Sequence, residues 1–267
     1  MGKRTVFYAI TLVLLITFIP STTYAFALYI APSSFKKSAK PGDTITGSVT
    51  VYNKADYAMG IRAYEQDWIY DEDGTKKFLP PGTTSLSCAE WINIFPRKFT
   101  VAAQSEKSVQ FTITLPEDAE GGYYAVIFFE SIDMSEGEGE RDITVGFAAR
   151  LGTIVYLETE GSSVKEGEIE GISIRPPSAN TPFLLKFTFK NKGNTFLKAE
   201  GMLNIMDDDG NLYGRQKFGP IMTLPGDENE SKVEWFGDLE KGEYNAVITL
   251  DLGTDMPIVE EEKFQVK

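Results

Sequence analysis

The sequence predicts an all-β protein made of two tandem β-sandwiches. Three observations carry this: apolar and polar residues alternate with a period of two, no long segment keeps a helical period, and one series of elements occurs twice in the same order. Residues Thr44 to Tyr52 place Ile45, Gly47, Val49 and Val51 on one side and Thr44, Thr46, Ser48 and Thr50 on the other. Val109 to Leu115 does the same, with Val109, Phe111, Ile113 and Leu115 set against Gln110, Thr112 and Thr114. Such alternation belongs to strands with one buried and one solvated face.

The repeat supplies the architecture. Val49-Thr50-Val51-Tyr52-Asn53-Lys54 leads on to Asp73-Gly74, and Phe187-Thr188-Phe189-Lys190-Asn191-Lys192 leads on to Asp209-Gly210. Gly122-Tyr123-Tyr124 then opens one late strand and Gly242-Glu243-Tyr244 another. Asp-Gly supplies the positive φ of a tight hairpin. A Gly-x-Tyr at the start of a late strand fits a tyrosine corner of the immunoglobulin-like sandwich, with Tyr124 and Tyr244 in that role. The expected organisation is domain 1 over residues 26–160 and domain 2 over residues 165–267. The polar, Gly/Ser-rich stretch around Gly161-Ser162-Ser163 joins them.

Residues 1–25 read as a secretory signal peptide. Lys3 and Arg4 precede an apolar run from Val6 to Ile19, Pro20 ends it, and Ala25 offers a small residue for cleavage; Ala25-Phe26-Ala27 offers a second position two residues on. The run of about 14 residues falls short of the ~20 that a spanning helix needs, and no other segment supplies one. The mature chain is thus expected in the periplasm or secreted, without stable membrane insertion.

Composition narrows the function. The 267 residues are 42% hydrophobic and 24% charged, ordinary for a folded protein, so disorder is excluded as the main state. A formal charge of −13 opposes binding to phosphate backbones, which argues against nucleic acid as a partner. The absence of histidine removes Ser-His-Asp and Cys-His catalysis and every His-containing zinc site. The single cysteine, Cys88, permits no internal disulfide and reads as a buried, inert thiol. No carboxylate pair is selected by spacing, so the protein is expected not to be an enzyme and to need no cofactor or metal. The acidic turns Asp71-Glu72-Asp73-Gly74 and Asp207-Asp208-Asp209-Gly210 lack the alternate ligands and the distal Glu of a calcium loop and read as plain hairpins. Trp68, Trp91 and Trp235 read as packing residues.

One segment points outward. Residues Asp133 to Asp142 are Gly-rich, acidic and without an apolar anchor, as in an exposed loop. The strand after it, Ile143 to Leu157, puts Ile143, Val145, Phe147, Ala149 and Leu151 on one face, and its other face is small apart from Arg150. This face can serve as the core side of a closing strand. The start of the strand can equally be an open edge for a partner strand, since an edge offers unpaired N–H and C=O groups.

On Ile143-Thr144-Val145-Gly146-Phe147-Ala148-Ala149-Arg150-Leu151-Gly152-Thr153-Ile154-Val155-Tyr156, with its loop, leader and tandem sandwiches, the chain resembles the PapD-like periplasmic pilus chaperones. The resemblance implies a chaperone or assembly protein whose client is a secreted, pilin-like subunit. Ile143, Val145 and Phe147 would then contact the client strand, and Arg150 would anchor its terminal carboxylate in the interdomain cleft. The family's partner arginine on the first strand has no counterpart in Ala27 to Pro32; Lys36 and Lys37 come later. The alternative reading is a non-catalytic structural or adhesion module of a surface assembly, touching its partners or carbohydrate through exposed aromatics near Phe95 or Tyr213.

Overall fold

A computed structural model describes residues 27–71, 74–132 and 149–267. The expected leader, the loop from Asp133 to Asp142, and Ile143, Val145 and Phe147 lie outside the described residues. Among the described residues, every element apart from one short 3₁₀ turn, Ala89–Trp91, is a strand.

The first sandwich contains β1 (Leu28–Ala31), β2 (Ser34–Ala39), β3 (Thr44–Asn53), β4 (Met59–Tyr70), β5 (Lys76–Leu79), β6 (Ile92–Phe95), β7 (Lys98–Val101), β8 (Ser105–Thr114), β9 (Gly122–Ile132) and β10 (Arg150–Thr159). One sheet has the order β1-β3-β8-β6; the other runs β2-β10-β9-β4-β5, with β7 also on β4. The inward residues read from the alternation meet between the sheets: Val49, Val51, Val109, Phe111, Ile113 and Leu115 are all buried. Gly47 is the bare spot on β3 where the Phe111 ring lies, and a Cβ there would overlap the ring.

The chain changes sheets between its first two strands. β1 pairs antiparallel with β3, whereas β2, beyond Pro32, pairs parallel with β10. β9 is central and buried on both faces. Ala125, Ile127 and Phe129 enter the sandwich core, and Tyr124, Val126 and Phe128 enter a second cluster on the outer side with Trp68. A strand covered on both sides reads as a continuous apolar run, as Tyr-Tyr-Ala-Val-Ile-Phe-Phe does.

The second sandwich contains β11 (Gly167–Arg175), β12 (Phe183–Asn191), β13 (Leu197–Met206), β14 (Leu212–Thr223), β15 (Glu228–Trp235), β16 (Gly242–Asp251) and β17 (Ile258–Val266). Its sheets are β11-β12-β15 and β14-β13-β16-β17, around a core that includes Phe183, Leu185, Phe187 and Phe189.

The repeated Asn-Lys turn is a repeated clamp. Asn53 and Asn191, 0% and 2% exposed, end β3 and β12. In each, Nδ2 donates to the carbonyl four residues on, Tyr57 at 2.8 Å or Thr195 at 2.9 Å, and to a distant one, Val101 at 3.1 Å or Thr223 at 3.2 Å. Each Oδ1 accepts from the N–H two residues on, at Ala55 or Gly193. The Asp-Gly hairpins form as expected: Gly74 and Gly210 have φ of 78° and 84° and donate N–H to Asp71 and Asp207 carbonyls.

The tyrosine pair needs a correction. Tyr244 is buried and donates its hydroxyl to the Glu240 carbonyl at 3.1 Å, a true corner. Tyr124 instead faces outward, and Tyr123 takes the inward position; its hydroxyl accepts the Glu120 N–H at 3.2 Å. The cause is the period of two: the inward residue follows Gly122 directly in β9 but stands two after Gly242 in β16, so the apparent alignment of the tyrosines is off by one face.

The two sandwiches meet through side chains and backbone. Trp68, Tyr124, Val126 and Phe128 of the first cluster with Leu224 of the second, and Tyr156 packs on Phe196 at 4.8 Å between centroids. Asn194, between β12 and β13, ties two other segments to its own, the start of β9 and the joint, through three hydrogen bonds. Its carbonyl accepts the Gly122 N–H at 2.8 Å, its Nδ2 donates to Ser162 O at 2.9 Å, and its Oδ1 accepts the Val164 N–H at 2.7 Å. Gly121, with φ of 75°, allows that approach; a Cβ there would stand 2.6 Å from the Asn194 carbonyl oxygen.

Candidate functional site

The site is built on β10. Its odd residues face the core, where Val155 and Leu157 are fully buried and Ala149 and Leu151 pack at the margin. Its even residues, Arg150, Gly152, Ile154, Tyr156 and Glu158, face outward. The backbone alternates in the same rhythm. Ala149 O accepts from Ser131 N, on the β9 side, whereas Ile154 N donates to Ser33 O and Glu160 N to Ala39 O, on the β2 side. The N–H and C=O groups of even residues therefore point away from β9.

That outer edge is covered over only part of its length. β2 pairs with Ile154 through Thr159. Upstream, among the described residues, no strand pairs with Arg150 to Thr153 on this side, where the backbone groups of Arg150 and Gly152 point. Thr153 marks the transition: its hydroxyl donates to the Pro32 carbonyl at 2.8 Å, where the first strand crosses between sheets.

Arg150 is exposed at the open end. Its guanidinium lies over the Phe128 ring at 4.2 Å and the Phe78 ring at 5.5 Å. It does not line the interdomain cleft, which opens beside Tyr156 and Glu158, about 20 Å further along the strand at ~3.3 Å per residue.

The cleft, of about 360 Å³, has its own cations: Lys36 and Lys37 from β2, Lys165 from the joint and Lys198 from β13. Among the described residues Glu158 is the one acid in its lining, against four lysines, so this lining is positive within a chain of charge −13. Lys198 pairs with Glu200 at 2.6 Å. Lys36 Nζ sits 5.0 Å from the Tyr156 ring centroid and 5.8 Å from that of Phe196, a position that holds the amine without neutralising it. Burial pushes the Tyr156 phenol upward, so it stays protonated at neutral pH. These features allow the cleft to receive an anionic group such as a carboxylate.

Sequence reasoning passed over Lys36 and Lys37 because they follow the first strand. The available signal was the strand-breaking Pro32 before them, which splits that strand and carries its second half to the other sheet.

The long connection between β5 and β6 positions Tyr124 in the cleft wall. Asp67, 0% exposed, accepts from Thr84 N at 2.8 Å, Gly82 N at 3.3 Å and Ser87 Oγ. Leu86 to Cys88 thereby takes the place beside Tyr124 that β4 vacates: Tyr124 N donates to Leu86 O and Cys88 N to Tyr124 O. Cys88 is fully buried, and burial pushes its thiol well up, so it is no nucleophile in the native state. Trp68 belongs to the outer cluster, Trp91 packs on Tyr123 at 4.4 Å, and Trp235 packs on the bare backbone of Gly214.

No protein-family model and no curated protein matches this sequence. Solved structures do. The chain is similar to the class 5 fimbriae chaperone CfaA, with a TM-score of 0.52 and 14% identity over 88% of this chain and 98% of that one. It is similar in the same way to a structure of a chaperone–tip adhesin complex in CFA/I fimbriae biogenesis, with a TM-score of 0.50 and 13% identity over 88% of this chain and 98% of that chain. At these identities the likeness establishes the fold: two tandem immunoglobulin-like sandwiches arranged as in a fimbrial chaperone.

Proposed function

We propose that this chain is a non-enzymatic periplasmic assembly chaperone that holds a secreted, pilin-like subunit by strand addition to β10. The observation that carries this reading is the partly covered edge: β2 closes Ile154 to Thr159, and on the side away from β9 no described strand pairs with Arg150 to Thr153. Main-chain pairing supplies affinity in such binding, and alternate side chains supply selectivity. Ile143, Val145 and Phe147 are the proposed contacts upstream, and Arg150 the contact at the described end of the edge. The lysine cleft is the proposed seat for a terminal carboxylate, which Lys36, Lys37, Lys165 and Lys198 surround from both sandwiches. The two similar structures support the role in kind, since one is a fimbrial chaperone and the other a chaperone bound to an adhesin. The sequence, without histidine, agrees with a binding protein.

The test is co-expression with a pilin-like product encoded beside this gene, followed by co-purification. Wild type should yield a one-to-one complex. Val145→Asp should abolish it, and the double change Lys36→Glu with Lys37→Glu should lower the yield at least about tenfold. Equal capture by all three proteins would refute the reading.

A further inference from the structure

Arg150 occupies an unusual electrostatic setting. The three strands β10, β9 and β4 align Arg150, Glu130 and Arg62 in one row across the outer face of the sheet. Arg62 binds Glu130 at 2.6 Å and lies over the Tyr64 ring at 5.0 Å. That hydrogen bond, more than any contribution from Arg150, holds the Glu130 carboxyl below its ordinary range. Glu130 is thus already neutralised by Arg62, and Arg150 is the surplus cation of the row.

The face of the Arg150 guanidinium rests on Phe128 and Phe78, and among the described residues it has no hydrogen-bond acceptor. Stacking uses the flat face of a guanidinium and leaves the N–H groups around its rim free to bind a planar carboxylate. The same residue offers its backbone N–H and C=O to the open edge. A strand added there would lie about 4.8 Å from β10 and place one side chain directly beside Arg150 on the outer face. The next outward position on β10 is Gly152, which presents no side chain, so the neighbour of Arg150 meets no competing bulk.

We propose that Arg150 selects the partner strand by its chemistry, favouring an aspartate or glutamate side chain at the outward position opposite it. The inference rests on strand addition to β10 and deepens it. It assigns Arg150 a side-chain carboxylate within the added strand, separate from any terminal carboxylate in the lysine cleft.

The probe is a set of three nine-residue peptides of alternating valine and threonine, with both ends blocked so that no terminal charge remains. The central threonine is replaced by Glu, Gln or Lys, and binding to the full chain is read by fluorescence polarisation. The Glu peptide should bind about tenfold more tightly than the Lys peptide, with Gln between them and the spread narrowing in high salt. Arg150→Glu should reverse the order, and Arg150→Gln should flatten it, which keeps the test decisive should the charge reversal unfold the protein. Lys217→Glu, an equal change of charge on the exposed face of β14, should leave the order intact. Equal affinities for all three peptides would overturn the selection and leave strand addition standing. Failure of every peptide to bind would overturn both.

Discussion

The last strands of the two sandwiches, β10 and β17, stand at equivalent places and treat their free edges differently. β17 closes the sheet β14-β13-β16-β17 at its rim and carries Glu260, Glu261, Glu262 and Lys263 in exposed positions. Such charges make edge-to-edge pairing costly. Along β10 the sequence from Leu151 to Leu157 is uncharged, and the edge is closed by a borrowed strand instead, over only part of its length. One sandwich lines its edge with charge; the other is covered from Ile154 to Thr159 and, among the described residues, unpaired on that side from Arg150 to Thr153. On the proposed strand addition, a binding edge has to lack the protection given to an inert one, and the partial cover by β2 limits its length.

A common scaffold makes this contrast meaningful, and the buried asparagines are its clearest shared part. Asn53→Ala is expected to cost about 3–4 kcal/mol and Asn191→Ala about 2–3 kcal/mol, because each leaves buried carbonyl groups without donors. Asn53 reaches one more carbonyl, that of Ala102 at 3.0 Å, hence the larger figure. Urea unfolding followed separately by Trp68 and Trp235 fluorescence in single-tryptophan variants would measure both, and a negligible change at either would break the equivalence.

The tyrosines sharpen the difference. Tyr244→Phe removes a part-buried hydrogen bond and should cost about 1 kcal/mol, whereas Tyr123→Phe removes an exposed one and should cost about 0.5 kcal/mol or less. Thermal melts of the two variants give the ranking, and a reversed order would contradict the assignment of the corner to domain 2 alone.

The smallest change in stability, within about 0.5 kcal/mol, belongs to replacing Glu260, Glu261 and Glu262 together by threonine, since all three are exposed. Its consequence lies in association: without those charges β17 becomes a pairing edge, and sedimentation should show concentration-dependent dimers. A strictly monomeric variant would mean that something other than charge protects that edge.

Much of the scaffold was legible in the residue order. The inward sets of β3 and β8, both Asp-Gly hairpins and the doubled Asn-Lys turn follow from local rules: a period of two, positive φ at glycine, and an amide side chain able to bind its own neighbourhood. The tyrosine reading failed by one residue because a motif's spacing does not report which face a strand turns inward. For the candidate site, the strand and Arg150 were visible, but its electrostatic surroundings were not. Arg150 meets Phe128, Phe78 and Glu130, and Lys36 meets Tyr156 and Phe196, across separations that no local pattern encodes.

Class, repeat and the alternation of faces are thus written into neighbouring residues, because strand geometry repeats every two positions and turn chemistry acts over three or four. Which edge is covered, where the lysines gather and how Asn194 ties the two halves together emerge only on folding. They depend on the crossing of the chain at Pro32 and on contacts between segments distant in the chain, such as Gly122 with Asn194. Pairing between strands far apart is set by the packing of the whole core, and no single segment contains it.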